Sequence, residues 1–169
     1  ELEMDFSKVN GRGPVFAFTE KQRTGNEGEW LNFGISNIQV SSPSGANSET
    51  QITRDNGTIG VRVGEKNTTY STPQTYRISY EVTGLIATNH AVSGLDEFNW
   101  NVINGWESEI KNFQVTVTGP AAISKVACWQ TKKLHTPCES NSSDASASYT
   151  VDRIPAGEPV QVGGGFPAG

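Results

Sequence analysis

Along this chain the apolar side chains recur at every second position. Tyr76, Ile78, Tyr80 and Val82 fall on one side of an extended backbone, and Arg77, Ser79, Glu81 and Thr83 on the other. Phe113, Val115 and Val117 alternate in the same way with Gln114, Thr116 and Thr118. Such alternation marks antiparallel strands with one buried face. Shorter signals of the same kind lie at 15–18, 35–40, 59–63, 126–129, 148–151 and 160–162. The opening Glu1-Leu2-Glu3-Met4-Asp5-Phe6 reads as the middle of one more strand. Turn residues punctuate the strands. Asn56-Gly57 predicts a tight hairpin, because primed turns need positive φ at both central residues, and Ser44-Gly45, Asn104-Gly105, Gly119-Pro120 and Pro155-Ala156-Gly157 mark further breaks. No helical stripe exceeds a turn, the nearest being one helical turn at 95–100. The pattern predicts a single all-β domain over 1–169, an antiparallel β-sandwich of immunoglobulin-like type. Its inner faces would carry Tyr76, Ile78, Tyr80, Val82, Phe113, Val115 and Val117.

Two polar stretches, 21–29 and 139–147, read as exposed loops, the second mobile for want of any large apolar residue. Gly163-Gly164-Gly165-Phe166-Pro167-Ala168-Gly169 reads as the exit from a last strand into a linker. Composition strengthens the all-β reading. Hydrophobic residues are 34% of the chain and there is one Met, a poor stock for a helical bundle. The net charge of −5 and the absence of any long Lys/Arg run argue against nucleic acid and against direct docking to anionic lipid. No stretch approaches the roughly 18 apolar residues that cross a bilayer.

The chain has two cysteines, Cys128 and Cys138, placed where a hairpin would bring strand ends together. A disulfide there closes a loop worth roughly 2–3 kcal/mol and implies an oxidising compartment. The alternatives are two free thiols, or a metal site with only His135 near to complete it, short of the usual four zinc ligands.

Catalytic chemistry has little to stand on. His90 and His135 are the two histidines, and Ser93 near His90 lacks a Gly-x-Ser-x-Gly elbow. Asp96, Glu97, Glu107 and Glu109 flank the segment from Trp100 to Trp106, so a glycosidase pair is conceivable, though such pairs sit in deep clefts. Asp96, Asn99 and Asn101 offer oxygens that calcium accepts if they share a turn, but Asp and Asn at turns more often bind their own backbone. No catalytic residue, metal or cofactor is therefore assigned. Trp100, Trp106 and Trp129 are the candidate ligand surface, with Asp96 beside them, and an aromatic platform for sugars is weighed against core packing. Asn67-Thr68-Thr69 and Asn141-Ser142-Ser143 are glycosylation sequons, which a bacterial origin would leave unused.

The stretch 76–106 reads TYRISYEVTGLI… from Thr75, then LDEFNWNVINGW, and the alternating strand after it ends at Gly119-Pro120. Later come Cys128 with Cys138, Pro155-Ala156-Gly157-Glu158 and Phe166-Pro167-Ala168-Gly169. Asp5-Phe6 and Arg12-Gly13 stand at the start, with Pro14 where an aliphatic residue is usual. In this order the chain resembles the extracytoplasmic domain of a bacterial family of predicted membrane proteins, domain of unknown function 2207. The resemblance implies a signal peptide and one missing N-terminal strand before the domain, a transmembrane helix soon after Gly169 and a cytoplasmic region beyond. It carries over no catalytic residue. The expected role is a non-catalytic interaction or sensing domain, outside the cytoplasmic membrane and facing an envelope protein or wall component. A carbohydrate-binding module or weak glycan-active enzyme is the alternative. The first should show an apolar patch or open edge strand, the second a coplanar aromatic pair beside a groove.

Overall fold

The computed structural model describes residues 1–24 and 26–169. Every regular element among them is a β-strand, and the strands pair antiparallel throughout. A six-stranded sheet runs in the order β13 (Glu139–Ser143), β14 (Ser146–Ile154), β10 (Ile110–Thr118), β1 (Leu2–Met4), β8 (Gln74–Thr83) and β5 (Gly34–Ser41). A four-stranded sheet follows the order β12 (Thr136–Pro137), β11 (Lys125–Gln130), β15 (Pro159–Phe166) and β9 (Asp96–Asn104). A three-stranded sheet holds β2 (Val15–Thr19), β7 (Thr58–Val63) and β6 (Thr50–Asp55), and β3 (Lys21–Arg23) pairs with β4 (Trp30–Asn32) as a two-stranded ribbon. The all-β sandwich architecture is thus built from several packed ladders, and an immunoglobulin-like order is not established by them.

The sheets meet over one core. Tyr149 on β14 donates a 2.7 Å hydrogen bond to the Gly163 carbonyl of β15, joining the two larger sheets from inside. Phe16 and Phe18 of β2 enter between them. Phe18 lies 4.9 Å from Tyr80 and 5.5 Å from Trp100, and Phe16 stacks on Trp106 at 6.0 Å, counted between ring centroids. The Asn56-Gly57 turn joins β6 to β7 with φ of 48° and 76°, the positive pair that a primed turn requires.

Four expectations need correction. The glycines 163–165 are no linker: they lie within β15, central in its sheet and buried. A Cβ on Gly164 would fall 2.5 Å from the Phe98 ring, and one on Gly163 2.7 Å from Asn99 Oδ1, so neighbouring β9 approaches too closely for a side chain. Of the segment 95–100, all but Leu95 is extended as the start of β9, because its apolar residues Phe98 and Trp100 are spaced by two and share the core face. Most of 139–147 is a strand hairpin. Ser and Asn side chains add little there, but the backbone of β13 pairs with β14 from Glu139↔Thr150 to Ser143↔Ser146. Within 21–29 the first three residues form β3, paired Lys21↔Asn32 through Arg23↔Trp30, while Gly25 lies outside the described residues.

Candidate functional site

Trp100 and Trp106 face inward. Trp100 is 9% exposed, wedged against Phe18, Phe33 and Tyr80, and its Nε1 donates to the Tyr80 hydroxyl at 2.7 Å. Burial pushes that hydroxyl up to about 12, although the indole donation opposes the rise. Trp106 is half-buried on Phe16. The buried Trp100 offers no exposed ring to a sugar. Trp129 is 39% exposed on β11, opposite Pro137 and Gln161. Asp96 is engaged within the chain. Its Oδ1 accepts the Asn89 N–H at 2.8 Å, the backbone-capping role of an aspartate beside a turn. Because β9 is extended, Asn99 and Asn101 sit on the face opposite Asp96, and the three oxygens do not converge. Among the described residues no three His, Cys, Asp or Glu side chains gather as a metal site.

Cys128 and Cys138 form a disulfide with Cα atoms 4.9 Å apart. The Cys138 N–H also donates to the Cys128 carbonyl at 2.9 Å. Cys138 sits where the chain leaves β12 for β13, so the bond ties the four-stranded sheet to the edge of the six-stranded one.

Asp96, Glu97 and Glu109 are engaged by neighbouring groups. Glu109 faces Arg153 and Lys111, and the Arg153 hydrogen bond above all holds its carboxyl below the usual carboxylate range. That is the opposite of the raised pKa of a general acid. Ser93 donates its hydroxyl to Glu97 itself, while His90 faces the other carboxylate oxygen at 3.7 Å. The serine proton therefore goes to the carboxylate rather than to the imidazole, and the three residues do not form a nucleophilic relay.

Two features were not legible as sites. The first is Trp30 on the β3–β4 ribbon, 47% exposed, with Lys21 Nζ 4.7 Å and Arg23 Cζ 5.0 Å from its ring centroid. The ribbon is held at its base. Phe33 N–H donates to the Glu20 carbonyl at 3.0 Å, Gln22 reaches the Asn99 carbonyl at 3.0 Å, and Arg54 pairs with Glu20 at 3.2 Å. A shallow groove beside the indole is lined by Thr19, Glu20, Asn32, Asn56 and Thr58. Alternation within the polar stretch Lys21-Gln22-Arg23 was the available signal, since only a strand puts both cations on one face. The second is a half-open apolar cleft of about 700 Å³ between the larger sheets, walled by Ile78, Tyr80, Val82, Val115 and Val117 with Trp100 behind. These inner-face residues are only partly buried, unlike Tyr76 and Phe113 lower on the same strands.

Residues 3–166 match the family model described as the predicted membrane protein (DUF2207) N-terminal domain. The chain belongs to that family. No curated protein and no solved structure matches it. The family is one of unknown function, associated with a membrane by description, and the DUF2207 domain seen here contains, among the described residues, no helix long and apolar enough to cross one.

Proposed function

We propose that this DUF2207 domain is a non-catalytic interaction domain of a bacterial membrane protein. It stands on the extracytoplasmic face, is anchored through a segment after Gly169, and contacts an envelope protein or wall component through the β3–β4 ribbon. The observation that carries the reading is Trp30 presented outward between Lys21 and Arg23. Trp and Arg dominate the energetics of protein interfaces, because each joins a large apolar area to a polar tip. A cation over the indole restricts both side chains before contact, which lowers the ordering cost of binding. The complementary surface is acidic. The disulfide supports an oxidising compartment, and the open edge of β6, exposed along its whole length, is a second contact feature.

The glycan-binding alternative draws on the polar groove beside Trp30. It is the weaker reading, since Lys21 and Arg23, two apart on one strand face, lie over the ring that a sugar would stack on. The test places a photo-crosslinking residue at position 30, and a control at the more exposed Val9, in the full-length protein in living cells. A discrete adduct formed at position 30, absent at position 9 and abolished by Lys21→Glu with Arg23→Glu, supports the reading. Equal labelling at both sites overturns it. Thermal unfolding against peptidoglycan fragments decides the alternative. A ligand at about 100 times its Kd adds roughly 2.7 kcal/mol, a rise of roughly 5–11 °C for a chain of this size.

A further inference from the structure

The six-stranded sheet is split. β1 spans three residues, and beyond it β8 and β10 continue on either side of the apolar cleft with no strand between them among the described residues. On its outer side β8 is paired with β5 along 77–83, and β10 with β14 along 113–118. Their other edges face each other across the gap. We propose that this gap is the seat of a β-strand continuing β1, supplied by the polypeptide immediately upstream of Glu1 and hydrogen-bonded to β8 and β10 at once.

The two ladders of β1 dictate the fit. On the β8 side Leu2 lies opposite Tyr76 and Glu3 opposite Thr75, so each step upstream advances one residue along β8. On the β10 side Glu1 exchanges both backbone bonds with Gln114: its N–H group donates to the Gln114 carbonyl at 2.7 Å, and the Gln114 N–H donates back at 2.8 Å. Glu1 therefore already lies in the gap, directed along it. The residue before Glu1 falls between Ile78 and Val115. The third residue upstream falls between Tyr80 and Val117, and the second between Ser79 and Thr116. Alternation then settles both faces. The first and third upstream side chains enter the cleft beside half-buried Ile78, Tyr80, Val115 and Val117, and are apolar. The second and fourth face solvent with Ser79, Glu81 and Thr116, and are polar.

The backbone makes the same demand. Antiparallel pairing turns alternate residues to alternate sides. Since Gln114 faces β1, Thr116 also turns its N–H and C=O into the gap. Since Leu2 faces Tyr76, so do Ile78, Tyr80 and Val82. These groups line an apolar cleft without a strand partner, an arrangement that a paired strand relieves. Neighbouring strands lie about 4.8 Å apart, so β1 holds β8 and β10 about 9.6 Å from each other at the foot of the gap, the spacing that a continuing strand needs. A separate peptide offers the same chemistry, but polypeptide joined to Glu1 enters the gap at a far higher effective concentration.

The test compares this chain with the protein extended upstream through its native residues, both with the disulfide intact. The extended protein is expected to unfold several degrees higher, to lose binding of a dye for exposed apolar surface, and to exchange the Ile78, Tyr80 and Thr116 amides at least about tenfold more slowly. Aspartate at the first or third upstream position is expected to reverse these gains, and aspartate at the second to leave them. Unchanged exchange in the extended protein overturns the proposal, as does equal sensitivity at all three positions. If the extension does nothing but an added peptide of alternating valine and threonine protects the same amides, the seat belongs to a strand of another protein and the proposal also fails.

Discussion

The indole nitrogen of Trp100 donates to the hydroxyl of Tyr80 at 2.7 Å, joining β9 of the four-stranded sheet to β8 of the six-stranded one. The bond crosses the apolar cleft at its back wall, where both rings also pack on Phe18. Tyr80→Phe keeps the ring and leaves the buried indole N–H without an acceptor. The expected loss is about 1–3 kcal/mol, read as a lower urea midpoint at unchanged slope. An unchanged midpoint would show that the pair contributes nothing across the sheets.

The disulfide is the second cross-sheet tie. Cys128 sits within β11 and Cys138 at the passage from β12 to β13, so reduction frees the edge hairpin from the four-stranded sheet. Replacing both by serine is expected to cost roughly 2–3 kcal/mol, the loop-closure value for a ring of this size. Urea unfolding with and without reductant checks it, and identical curves would count against the tie.

Gly164 answers to a different constraint. A methyl group there meets the Phe98 ring at 2.5 Å and Ile123 Cγ2 at 3.3 Å, inside the core. Gly164→Ala is expected to destabilise by about 1–3 kcal/mol through overpacking. The double variant Gly164→Ala with Phe98→Leu is expected to cost less than the sum of the two singles, because the smaller side chain relieves the contact. Strict additivity of the two denaturation midpoints would rule out the contact as the cause.

The strands that the sequence displays best are those with one face in the core. In β8 and β10 each apolar residue is followed by a polar one, and the structure keeps that alternation. The strands that escaped the reading lack such a face. β13 is Glu-Ser-Asn-Ser-Ser, and it is a strand only because β14 offers it a complete backbone ladder. β15 looked like a linker because its glycines serve the neighbouring strand's side chains, a tertiary requirement that no local pattern encodes. The candidate site was hidden for related reasons. Among four tryptophans, the exposed cation-flanked one is set apart by the pairing of Arg23 with Trp30, a register visible only in the folded ribbon. Nor does alternation alone reveal that Ile78, Tyr80, Val82, Val115 and Val117 stay half-buried, since the gap depends on how far β1 extends between them.

Three tyrosines set the alkaline limit of the fold. Burial pushes the hydroxyls of Tyr76, Tyr80 and Tyr149 each up to about 12 from an ordinary value of 10.0. For Tyr76 the nearby Tyr70 adds to the rise, and its hydroxyl is buried without a partner among the described residues. A raised folded-state pKa means that above pH 10 the unfolded chain gives up protons that the folded chain keeps. The unfolded state then binds fewer protons, so stability falls as pH rises. The stabilisation is complete below about pH 10 and is lost progressively between about pH 10 and 12. The decline follows from the direction of all three shifts. Ultraviolet titration should accordingly show these phenols ionising together with loss of the fold, monitored by near-ultraviolet dichroism. Tyr149→Phe should flatten the decline by removing one titrating group, though the loss of its bond to the Gly163 carbonyl lowers stability at neutral pH. Full ionisation of every tyrosine near pH 10 in a protein that stays folded would sink the argument.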